Sequence, residues 1–87
     1  LGRVEKFPNL TGKQMRRVIE RICGAPLKKP GGGRRGNGSH SHYVNPENGN
    51  KLMFSYHDQQ TVTGGIVRRM LVSDLGLTLD EARSAVR

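Results

Sequence analysis

Met15, Val18, Ile19 and Ile22 recur at i, i+3, i+4 and i+7, the spacing of one helical face. Thr11, followed three residues later by Gln14, has the spacing of a capping box. Gly24 and Pro26 then stop the run. A helix is therefore predicted between Thr11 and Gly24. Arg16, Arg17 and Arg21 fall largely off its apolar stripe, where they can reach solvent or a phosphate.

The period changes to two further along. His40–Asn45 and Leu52–His57 flank Pro46-Glu47-Asn48-Gly49-Asn50, and Asn-Gly is a strong hairpin signal. If Asn48-Gly49 is a two-residue turn, Glu47 pairs with Asn50. Counting back, Tyr43 then opposes Phe54, Ser41 opposes Tyr56 and His40 opposes His57. One face carries Tyr43, Leu52, Phe54 and Tyr56 and is expected to seek the core. The other carries His40, His42, Val44, Met53, Ser55 and His57. A slip of one residue would break this sharing of faces.

The helical spacing returns at Ile66, Val67, Met70 and Leu71, with Thr63 as the expected cap and Gly76 as the stop. Thr78 and Glu81 form a second capping box ahead of Leu79, Ala82 and Val86. Residues 1–10 contain Pro8 and show no clear period, so they read as an N-terminal arm to a single domain over 11–87. Leu27-Lys28-Lys29 is expected to open with a short strand. Pro30 to Gly38 follows as a Gly-rich loop carrying Arg34 and Arg35, without the Gly-Lys-Ser/Thr ending of a phosphate cradle. The expected class is α+β, with helices on one face of a small antiparallel sheet.

Size and charge narrow the function. The chain has 87 residues, enough for one small domain with a thin core. It starts at Leu1, as expected if the numbering begins inside a longer product. No run is long and apolar enough to span a bilayer, so no membrane role is expected. The single cysteine, Cys23, excludes an internal disulfide and fits a reducing cytoplasm. It reads as a small apolar residue near a helix end rather than a nucleophile.

The net charge is +8, and it is polarised. Ten basic residues stand against two acidic ones over residues 1–35, whereas residues 36–87 balance at five of each. A basic half of this kind attracts phosphate backbones. The bland alternative is a solubilising tail.

Gly38-Ser39-His40-Ser41-His42-Tyr43 carries the candidate chemistry, with His57 closing the second strand. Histidine exchanges a proton near neutral pH. Opposed residues of an antiparallel pair have Cβ atoms about 4.5–5.5 Å apart, close enough for two imidazoles to share a phosphate. RNA supplies its own nucleophile, the 2′-hydroxyl. Cutting it takes a base, an acid and positive groups for the developing charge. The bland reading makes these histidines surface residues of a sheet. A metal site from His40, His42 and His57 lacks acidic or cysteine ligands at a recognised spacing, so no metal and no cofactor is expected. The residues alone support a basic nucleic-acid-binding domain, with a nuclease as the sharper version.

The order of these features resembles the HicA family, small toxins of bacterial toxin–antitoxin pairs. Gly38-Ser39-His40-Ser41-His42-Tyr43 with Asn45-Pro46 is similar to that family's Gly-Ser-His-His-x-Phe motif and its trailing His-Pro. His57 matches its second-strand histidine, Gly65 to Leu71 the opening of its second helix, and Leu75-Gly76-Leu77 with Thr78–Glu81 its usual ending. The resemblance covers roughly residues 11–86. It implies a double-stranded-RNA-binding-domain-like α-β-β-β-α fold with a short C-terminal helix. It further implies mRNA cleavage by an endoribonuclease (an mRNA interferase), a catalytic histidine at His40, and a HicB-type antitoxin as partner. His57 as a second catalytic group rests on the hairpin register, not on the family. Gly38, Ser39, Arg34, Arg35, Arg68, Arg69, Arg16 and Arg17 are the expected RNA-binding residues. Three departures stand out. Ser41 replaces the second histidine, the helix-to-strand loop is longer and richer in Gly and Arg, and Asp58 to Thr63 replaces a proline and lysines. The alternative is a non-catalytic module that binds duplex RNA by shape, or a DNA-binding protein.

Overall fold

The computed structural model describes residues 6–27 and 40–87. Its element order is β1 (Leu10–Thr11), α1 (Gly12–Cys23), β2 (Ser41–Val44), β3 (Lys51–Phe54), β4 (Thr61–Val62), α2 (Gly64–Arg68), a π-helical continuation over Arg69–Asp74, and α3 (Leu79–Ala85). This is a small α+β domain. In place of the one small antiparallel sheet expected, two separate two-stranded ladders form among the described residues, β2 with β3 and β1 with β4. The β1–β4 ladder was not legible in the sequence, because each strand is only two residues long.

Both expected capping boxes form. Thr11 and Gln14 close α1, and Thr78 and Glu81 close α3, each through reciprocal backbone-to-side-chain bonds. Met15, Val18 and Ile19 are buried, as their spacing predicts. Thr63 is the N-cap of α2 by backbone geometry, but its side chain makes no capping bond. Asn9 does so instead, its Oδ1 accepting from the Gly64 N–H at 2.8 Å. Residues 6–10, read as part of an arm, are therefore tied into the domain. Phe7 is buried in the core, and Leu10 pairs with Val62.

The hairpin register differs from the sequence reading by two residues. Ser41 opposes Phe54, His42 opposes Met53, Tyr43 opposes Leu52 and Val44 opposes Lys51. The turn chemistry explains this. A two-residue type I′ turn needs φ > 0 at both central residues. Gly49 adopts φ 77°, but Asn48 does not adopt a positive φ. The chain instead closes a four-residue loop over 46–49. The Asn45 carbonyl accepts from the Asn48 and Gly49 N–H groups, and the Asn45 N–H donates to the Asn50 carbonyl. The Asn45 side chain adds an Asx-turn by accepting from the Glu47 N–H at 3.0 Å. A shift of two leaves the side chains of the paired residues on their expected faces, because the pleat repeats every two residues. Tyr43, Leu52 and Phe54 point inward and are buried, whereas His42 and Met53 are exposed.

Helix α1 packs on β2, and the π-helical segment packs on β3. The inner face of the hairpin thus meets both helices around one core that includes Val67, Leu71 and Leu75. The second helix ends on the hairpin turn. Asn45 is buried, and its Nδ2 donates to the Leu75 carbonyl at 2.8 Å. Asn48 Nδ2 donates to the same oxygen at 3.0 Å. Just beyond, Gly76 takes φ 80°, and a Cβ there would run into the amides of Asn48 and Asn50. The π turn, marked by the Leu75 N–H donating to the Met70 carbonyl, carries Leu75 to this junction. Of the strand expected at Leu27, the described part is Leu27 itself, whose N–H donates to the His42 carbonyl at 2.7 Å.

Candidate functional site

His40 is exposed immediately before β2. The β2–β3 ladder ends at the next residue, where Ser41 opposes Phe54. The His40–His57 opposition expected from the sequence does not form, because the two-residue shift moves His57 beyond the paired strands. His42 lies on the outer face next to Met53, which is half exposed. Below this outer face the strand is anchored. Tyr43 is fully buried, and its hydroxyl donates to Glu20 Oε2 on α1 at 2.9 Å. Burial pushes the Tyr43 phenol well above its ordinary range, and the Glu20 carboxylate adds to the shift.

His57 belongs to a different structure, a tight loop over 57–60. Its N–H donates to Gln60 Oε1 at 2.6 Å, and its carbonyl accepts from the Gln60 N–H at 3.1 Å. The loop is clamped on the first turn of α1. Gly12 donates to the Gln60 carbonyl at 2.7 Å, and Lys13 donates to the Asp58 carbonyl at 3.1 Å. These bonds satisfy helix-end N–H groups that would otherwise lack partners. A Cβ at Gly12 would fall on the His57 carbonyl, so the close approach depends on glycine here. The imidazole of His57 is exposed above this clamp.

The expected RNA-binding residues separate into groups. Gly38, Ser39, Arg34 and Arg35, with the rest of the Gly-rich loop, lie outside the described residues. Arg16 joins the His57 loop, its Nη1 donating to Asp58 Oδ1 at 2.6 Å. That hydrogen bond raises the Arg16 pKa and lowers that of Asp58. Arg17 is exposed on α1, and Arg69 is exposed on the π-helical segment. Arg68 lines an open cavity of about 470 Å³ with Lys6, Asn9, Thr63 and the backbone at Gly64–Gly65. Arg21 is engaged elsewhere, donating to the Ala85 carbonyl at 2.7 Å near the end of α3, where a cation is favoured.

Sequence reasoning missed Asp58, Glu20 and Asn45. Asn45-Pro46 is a turn-initiating signal that could have flagged the last of these. The other two act through partners far along the chain, 42 residues away for Asp58 and 23 for Glu20. Cys23 is partly buried, and burial raises its thiol pKa, which fits a packing residue. Among the described residues, no three His, Cys, Asp or Glu side chains come together as metal ligands. No helix among them is long and apolar enough to cross a membrane.

No protein-family model, no curated protein and no solved structure matches the chain. The class that the fold defines is a small basic α+β domain with an exposed histidine-bearing hairpin face.

Proposed function

We propose that this protein is an endoribonuclease, the toxin of a toxin–antitoxin pair that cleaves mRNA in the cytoplasm. His40 is its essential general base or acid, taking the 2′-hydroxyl proton or supplying one to the leaving 5′-oxygen. The observation that carries the reading is His40 itself. It follows Gly38-Ser39, is exposed to solvent, and directly precedes a strand fixed to the core by Tyr43. An exposed imidazole next to an anchored strand suits proton transfer to a bound polymer. The net charge of +8 favours a polyanionic substrate. A helix, a hairpin and a second helix on its inner face accord with a double-stranded-RNA-binding-like unit, and a HicB-type antitoxin is the partner in this reading. His57 takes the weaker role of second proton-transfer group.

RNA cleavage by wild type and by His40→Ala at matched folding tests the reading. A loss of about 100-fold or more is expected for a general acid or base. Equal cleavage by the two proteins would remove His40 from the chemistry. The second reading is a binding module that leaves RNA or DNA intact. The separation of His57 from His40 by the register favours it, because no opposed histidine pair forms. Intact RNA after long incubation, with strongly salt-dependent binding, would select it.

A further inference from the structure

We propose that Lys13, Arg16 and His57 form a binding site for a backbone phosphodiester, and that the Asp58 carboxylate occupies this site in the free protein. The inference rests on the RNA reading for the identity of the polyanion. The site itself stands on the geometry of the 57–60 loop.

Asp58 makes two separable attachments. Its carbonyl accepts from the Lys13 N–H, and its carboxylate accepts from the Arg16 guanidinium. The loop is held by the first kind of bond, together with the Gly12–Gln60 bond and the His57–Gln60 pair. The carboxylate can therefore swing away while the loop stays in place. It is also easily reached, since the Arg16 and Asp58 side chains are 33% and 54% exposed. An ion pair this exposed is weak and competes poorly with a polyanion.

Basic side chains flank the carboxylate. Arg16 bonds it directly, the Lys13 backbone N–H donates to the Asp58 carbonyl, and His57 is the preceding residue in the same loop. One carboxylate thus sits among three groups that favour an anion. Glu20, one turn beyond Arg16, accepts from the Tyr43 hydroxyl and adds a second negative charge that acts on Arg16. The N–H groups of Gly12, Lys13 and Gln14 are already bonded within the protein, so the site is made by side chains and not by the helix end. Guanidinium binds phosphate as it binds carboxylate, by charge-assisted hydrogen bonds. A phosphodiester entering here would lie beside the His57 imidazole.

The test compares wild type with Asp58→Asn, using a 2′-O-methyl oligonucleotide that lacks the 2′-hydroxyl and cannot be cut. Affinity is measured across a salt series, and inorganic phosphate is titrated while the Arg16 and His57 side-chain resonances are followed by NMR. Asp58→Asn should tighten oligonucleotide binding several-fold at low salt. Its salt slope should steepen by about 0.7 for one added phosphate contact on a single strand. Asp80→Asn, with the same change in net charge, should give a smaller gain. Adding Arg16→Gln to Asp58→Asn should abolish the gain. Phosphate should shift the Arg16 and His57 resonances more strongly in Asp58→Asn than in wild type. A gain matched by Asp80→Asn, or one that survives Arg16→Gln, would overturn the proposal, as would phosphate leaving both resonances unmoved. If phosphate moves both resonances but no oligonucleotide binds, the anion site stands and the RNA reading falls.

Discussion

The Tyr43 hydroxyl donates to Glu20 Oε2 at 2.9 Å, tying the histidine-bearing strand to α1 through a ring with no exposed surface. Tyr43→Phe keeps the ring and removes the donor, leaving a partly buried carboxylate short of a partner. A stability loss of about 1–2 kcal/mol is expected, measured by urea denaturation.

The same bond predicts an alkaline dependence. The folded protein holds the Tyr43 phenol neutral above its ordinary pKa of 10.0. The resulting stabilisation is complete below pH 10 and is lost as pH rises through the elevated folded value. Stability measured upward from pH 10 should therefore fall more steeply for wild type than for Tyr43→Phe. Parallel pH profiles would show that the phenol is not held neutral.

Asn45 bonds the Leu75 carbonyl and the Glu47 N–H from a buried position. Asn45→Ala removes both bonds and should cost about 2–3 kcal/mol, read from the thermal or urea midpoint. Asn48→Ala should cost less, because Asn48 is exposed and Asn45 still serves the Leu75 carbonyl.

Gly12→Ala inverts the usual helix preference. Alanine ordinarily stabilises a helical glycine site by up to about 1 kcal/mol. Here the new methyl would meet the His57 carbonyl, and backbone cannot yield as a flexible side chain does. A net loss of roughly 1–3 kcal/mol is expected, as for other overpacked sites. It should come with displaced amide resonances over residues 57–60. A stabilised Gly12→Ala with unmoved resonances would contradict the observed approach.

His57→Ala separates the roles of the two histidines. In the cleavage reading it should lower the rate by less than His40→Ala does, and it should weaken oligonucleotide binding in the salt series. A loss equal to that of His40→Ala, with binding unchanged, would make His57 a full partner in proton transfer.

Much of this fold is written in local pattern. The spacing of Met15, Val18 and Ile19 and the two Thr-led capping boxes place α1 and α3, because helix faces and caps depend on residues within a turn of one another. The alternation from Tyr43 to Phe54 likewise assigns each hairpin residue to its face. Neither the register nor His57 was legible. The turn hinges on whether Asn48 adopts a positive φ, and the neighbouring Asn45 and Pro46 close a longer loop instead. Asn9 could not be recognised as the cap of α2, since it lies 55 residues from Gly64.

The sequence by itself determined the α+β class, the inward ring of Tyr43 and the outward face of His42, all set by periods of two and 3.6 along one segment. Only the tertiary structure decided which residues meet across segments. It placed Asp58 on Arg16, fixed His57 against Gly12 and joined Asn45 to Leu75. Such pairs depend on how helices and loops close over a shared core, where a shift of two residues leaves the faces of the paired residues intact but changes every partner.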